Sequence, residues 1–215
     1  MNEDLIQAQY DITKKSKLKR FYESNKILIF SSILVLTIIF VSFGIYFEKK
    51  EKDRILLSEN YIQAKIYLEN KNKKEAVNIL KKVIFANDST YSTLAFFLML
   101  NQNLVSDPKE ILSLYDHLLE NNNFEKELRN LLIYKKSLFS LNSISETELL
   151  KTTKPLLNTD TLWKPHALLL LGDYFMSKGE NIKAGEFYRQ ILSMNNLHKD
   201  LYEQAKSQLA IINYE

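Results

Sequence analysis

Residues 165–196 read PHALLLLGDYFMSKGENIKAGEFYRQILSMNN. Leu168, Leu171 and Phe175 recur at helical intervals before Gly179, and Ala184, Tyr188 and Ile191 do so after it. That spacing is the pattern of two amphipathic helices separated by a polar, glycine-bearing turn. Small residues fall where the two helices must approach closely, and large aromatics fill the space beyond them. The fold class that follows is all-α.

Working outward, the same kind of pair recurs with less regularity. Ile55 to Asn70 carries Leu56, Leu57, Tyr61, Ala64, Tyr67 and Leu68 at helical spacing; the polar run NKNKK then interrupts it, and Ala76, Val77, Ile79, Leu80, Val83 and Ile84 form a second stripe. The next helix opens near Asp88-Ser89, with Leu94 to Leu100 as its expected buried portion. Asp107-Pro108-Lys109-Glu110 predicts a sharp helix start: Asp107 as N-cap, Pro108 where no amide donor is needed, and Glu110 reaching back to the cap. A third pair runs from Phe124 to about Leu141 and from Ser145, in a capping box with Glu148, to Leu157. Leu201, Tyr202, Ala205, Leu209 and Ile212 make a last amphipathic helix suited to capping a stack.

The 165–196 pair resembles the tetratricopeptide repeat, a helix-turn-helix unit of about 34 residues. With Gly172 at the family's eighth position, Leu171, Phe175, Gly179, Ala184, Tyr188 and Ile191 fall at its seventh, eleventh, fifteenth, twentieth, twenty-fourth and twenty-seventh. Leu168 replaces the usual aromatic at position four, and Asn196 the usual late proline. Aligning Ala64 in the same way puts Tyr67, Ala76, Leu80 and Val83 on pattern, with Lys71 where glycine is common. Aligning Ala95 puts Asp107 where alanine is expected, so the middle pairs match only as helical hairpins. The expectation is a tetratricopeptide-repeat-like α-solenoid of about four helix pairs plus a capping helix over residues 55–215. By this resemblance Tyr61, Lys65, His166, Leu169 and Asp173 face the inner, partner-binding groove.

Upstream, residues 27–47 (ILIFSSILVLTIIFVSFGIYF) carry no formal charge over 21 positions. At a helical rise of about 1.5 Å per residue this covers a hydrocarbon layer of roughly 30 Å, and the polar side chains present are hydroxyls able to bond their own helix. The segment is expected to be a transmembrane helix. It lies between a basic N-terminal tail (1–26), whose Leu5, Ile6, Ala8, Gln9 and Ile12 could form an amphipathic helix, and a charged linker (48–54, EKKEKDR). The competing reading is a cleaved secretory signal, with Ser42-Phe43-Gly44 as the place of cutting, although the apolar run exceeds the roughly 7 to 15 residues usual for signals. Residues 7–26 carry six Lys or Arg and residues 48–67 five. This bias favours a cytoplasmic tail and a translocated domain.

Composition removes several function classes. There is no cysteine, which excludes disulfides, thiolate catalysis and Cys-ligated zinc. With four glycines, no phosphate-cradling loop or dinucleotide fingerprint can be assembled. His117, His166 and His198 lack the close spacing of a helical metal pair. Net charge is +3, with acids and bases interleaved, so no basic stripe for nucleic acid is visible. The sequence thus predicts neither cofactor nor enzyme, but a protein that binds other proteins.

The whole layout is similar to the YfgM-like family of ancillary SecYEG translocon subunits, in architecture and in local phrases such as Tyr61 to Ala64 and Tyr91 to Ala95. That resemblance implies a single-pass protein of a bacterial inner membrane, its N-terminus cytoplasmic and its C-terminal domain periplasmic. The implied partners are Sec translocon subunits and a membrane-anchored periplasmic chaperone, and the role is to assist emerging proteins. The alternatives are a tethered scaffold for another envelope assembly machine, such as cytochrome maturation, or a soluble periplasmic repeat protein after signal cleavage.

Overall fold

The computed structural model describes residues 17–141, 143–195 and 197–214. The expected amphipathic stretch around Leu5 to Ile12, and Asn196, lie outside the described residues. Among those described, every regular element is a helix: α1 (Lys17–Glu69), α2 (Lys73–Ile84), α3 (Ser89–Asn101), α4 (Pro108–Asn121), α5 (Lys126–Ser140), α6 (Glu146–Leu157), α7 (Lys164–Ser177), α8 (Asn181–Leu192) and α9 (Lys199–Tyr214). The chain divides into two compact units, Met1–Leu56 and Leu57–Glu215.

In the first unit, α1 is long and apolar enough to cross a membrane, and none of its most apolar stretch is covered by protein. The hydroxyls of Ser31, Thr37 and Ser42 donate to the carbonyls of Leu28, Ile33 and Ile38 at 2.8–2.9 Å. These three hydroxyls are thereby satisfied inside their own helix, which is what a hydrocarbon solvent demands. Helical geometry breaks at Asn25, whose φ is −119° and ψ 15°, two residues before the apolar run begins. The expected linker 48–54 is helical, with Lys52 paired to Glu48 at 2.7 Å.

In the second unit, helix starts follow local chemistry. Asp107 accepts from the Lys109 amide at 3.0 Å with Pro108 at the first helical position, and Ser145 accepts from the Glu148 amide at 3.3 Å. Glu110 departs from the expected capping box: its carboxylate pairs with Lys81 of α2, because a cation from another helix outcompetes a neutral amide for it. Three helix ends share one kind of closure. Lys71 (φ 60°), Asn103 (φ 48°) and Gly179 (φ 75°) close α1, α3 and α7 in the left-handed region. In each case the following amide reaches five residues back, Asn72 to Tyr67, Leu104 to Met99 and Glu180 to Phe175, at 2.8–3.0 Å. These are three Schellman closures, which satisfy carbonyls that the helix end would otherwise orphan.

Each helix from α2 onward packs on the next, and α7 also packs on α5, and α9 on α7. One core joins Ala64 of α1 to Leu80 and Ile84 of α2, Phe96 and Met99 of α3, and Tyr115 and Leu118 of α4. A second joins Leu168 and Phe175 of α7 to Ala184, Tyr188 and Ile191 of α8 and Ala205 of α9. Full burial of side chains of this size stabilises by about 1.5–3 kcal/mol each. In α3 the buried positions are Ser92, Ala95, Phe96 and Met99, while Leu94, expected inside, is 44% exposed. The unbroken apolar run 94–100 gives periodicity nothing to choose between, and a small hydroxyl before it takes the tight contact instead: Ser92 donates to the Val83 carbonyl at 3.0 Å.

Candidate protein-binding face

The α7–α8 hairpin fixes the first part of the face. A Cβ on Gly172 would stand 2.5 Å from Cε1 of Tyr188, so only glycine lets the phenol lie across α7. The Tyr188 hydroxyl then donates to Asp173 at 2.7 Å. Burial first, then the Asp173 bond, pushes the Tyr188 phenol well above the ordinary tyrosine range. Asp173 is itself exposed, so a carboxylate stands at the surface, oriented from beneath by a buried ring.

Because α5 lies against α7, Tyr134 meets His166 edge-on with ring centroids 5.8 Å apart and stacks on Trp163 at 5.5 Å. Trp163 and His166 are 5.3 Å apart, and the His166 Nδ1 lies 3.2 Å from the Leu162 carbonyl. Burial, with the Asp173 carboxylate second, raises the Tyr134 pKa. Asp173 is therefore felt electrostatically on α5. His166, Trp163, Tyr134 and Asp173 make up one aromatic and acidic patch.

The remaining expected groove residues fall elsewhere. Leu169 is 9% exposed and packs into the α7–α8–α9 core, so it contributes packing rather than surface. Tyr61 is half-buried against the α1–α4 core, and Lys65 is exposed one helical turn further along α1. Sequence spacing missed Tyr134 and Trp163, which join His166 only through the packing of α5 on α7. The lone tryptophan was the available signal.

Beside this patch a cleft of about 900 Å³ opens between the start of α5, the segment leading into α7, and the start of α9. One wall is held by Thr161. Its hydroxyl donates to Glu127 at 2.8 Å and accepts from the Asn130 side chain at 2.9 Å and the Trp163 amide at 3.3 Å. Lys126 adds a bond from its ammonium to the Asp160 carbonyl at 2.6 Å. The wall before α7 is thereby fastened to α5 although it has no regular structure of its own.

Among the described residues no group of three or more His, Asp or Glu is placed to hold a metal ion. The chain matches no family model, no curated protein and no solved structure.

Proposed function

We propose that this protein is a membrane-anchored scaffold that binds other proteins through a tetratricopeptide-repeat-like helical domain. By the resemblance of its layout to the YfgM-like family, its place is beside the Sec translocon, with the tail cytoplasmic and the domain periplasmic, assisting proteins as they emerge. The observation that carries this reading is the contact of α5 with α7 and of α7 with α9. α5, α7 and α9 lie side by side, as the first helices of successive hairpins do in a stack, and such a row offers a surface for an extended or helical segment of a partner. The Gly172–Tyr188 joint and the Schellman closure at Gly179 support the same assignment. Anchoring is supported by α1, whose most apolar stretch has no protein cover and whose Ser31, Thr37 and Ser42 hydroxyls are satisfied internally. The function is holding rather than bond-making.

The test is photo-crosslinking in intact membranes with an unnatural amino acid at Asp173 or Lys65, combined with affinity purification of the detergent-solubilised complex. Recovery of Sec subunits and crosslinks to emerging chains is the expected result. Absence of both removes the Sec assignment, and crosslinks to a different envelope machine replace it.

A further inference from the structure

The cleft beside the aromatic patch has a chemistry of its own. Its ionisable lining groups are Glu127, Asp160, Asp200, His166 and His198, and among the described residues no Lys or Arg side chain lines it. The Glu127 carboxylate is engaged internally, by the Thr161 hydroxyl and, at 3.3 Å, by the Leu162 amide. Asp160 and Asp200 are exposed, and the Lys126 ammonium beside Asp160 donates to its backbone carbonyl at 2.6 Å. His198 stands 3.6 Å from Asp200. Beside the acids the lining is apolar: Pro165, Met194, Leu197 and Leu201, with Leu162 on the wall at 74% exposure. A large aliphatic side chain held that far into water, by a loop tied down at Thr161, leaves apolar area for a partner to cover.

We infer that this cleft takes a segment of another protein in which a Lys or Arg stands beside a large apolar side chain. The cation meets Asp160 and Asp200, and the apolar side chain packs on Leu162 and Leu201. The inference rests on the scaffold reading and gives it a partner chemistry. Trp163, the chain's only tryptophan, lies 5.3 Å from the His166 ring of the lining and reports occupancy from within the protein.

The test uses the full-length protein in phosphatidylcholine nanodiscs, titrated calorimetrically and by tryptophan emission. The probes are a short Trp-free peptide alternating Leu and Lys, and its twin with Glu in place of Lys. Saturable binding of the Lys peptide with a shift of Trp163 emission, and no binding of the Glu twin, is expected. The paired variant Asp160→Asn, Asp200→Asn should weaken the Lys peptide by about tenfold, as loss of two exposed charge pairs implies. Leu162→Ser should weaken it separately. Both sets of side chains are exposed, so far-ultraviolet circular dichroism should be unchanged. Equal binding of the two peptides, no heat with either, or undiminished affinity in both variants overturns the inference. If crosslinks from Asp173 to other proteins persist in that event, the scaffold reading stands and the cleft assignment alone falls.

Discussion

Gly172 and Tyr188 form a lock between α7 and α8: a Cβ at position 172 would overlap the ring of Tyr188 at 2.5 Å, 2.9 Å and 2.9 Å from three of its carbons. Glycine inside a helix ordinarily costs about 0.8–1 kcal/mol relative to alanine, so Gly172→Ala would be stabilising on propensity alone. Here the clash wins. The Tyr188 ring is fully buried and has no free end to move, and overpacking of this kind costs about 1–3 kcal/mol or more. Gly172→Ala is expected to lower the denaturation midpoint, and Tyr188→Leu in the same chain to recover part of the loss. A gain in stability from Gly172→Ala alone would mean that the two helices are not packed as described.

Alkaline pH probes two buried phenols. Burial raises Tyr115 from 10.0 to about 12, and burial with the Asp173 bond raises Tyr188 further. A raised folded-state pKa contributes stability that is complete below the unfolded value of 10.0 and is lost as pH climbs toward the folded value. Stability should therefore fall between pH 10.0 and about 12, by up to about 3 kcal/mol for Tyr115, and Tyr115→Phe should flatten that fall. Lys183 contributes in the same direction, its ammonium being held charged by Glu180 and then Glu146. Denaturant titrations across this window check the sign.

The three Schellman closures rank their own substitutions. Lys71 sits at φ 60° with a Cβ that the left-handed region disfavours by about 1–2 kcal/mol, whereas Gly179 sits at φ 75° without one. Lys71→Gly is expected to stabilise by about 0.5–1 kcal/mol, and Gly179→Ala to destabilise by about 1 kcal/mol or slightly more. Thermal melts of the two variants should move in opposite directions.

How much of this was legible beforehand depends on the range of the interaction. The hairpin at 165–196, the Asp107 and Ser145 caps and the self-bonded hydroxyls of α1 are set by residues within a few positions of one another, and spacing alone reveals them. Lys71 was legible as the place of a missing glycine, and the chain turns there as a glycine would. Glu110 was misread because its partner, Lys81, comes from another helix. The aromatic patch was only partly visible for the same reason. His166 was expected at the surface, but Tyr134 reaches it from a helix more than thirty positions away, and no periodicity encodes that pairing. Leu169 illustrates the limit of a repeat pattern: resemblance alone put this position on a groove, but α7 is apolar around most of its girth and the leucine is buried.

Thr161 should behave as a small structural hub. It is 8% exposed, and Thr161→Val would leave Asn130 and Glu127 without the hydroxyl that joins them. Leaving such groups unpaired costs about 1–3 kcal/mol. The loss should be local, seen as faster amide exchange of Leu162 and Trp163 with little change in α2 and α3. Uniform loss of protection across the domain would show that the wall is not an independent feature.

If α1 fixes the helical domain to a bilayer, alkaline carbonate extraction of membranes carrying the full-length chain will show it. The protein is expected to stay in the membrane pellet and to retain the Ile27–Phe47 segment when its mass is measured. Release into the supernatant, or a chain beginning after Gly44, would contradict it.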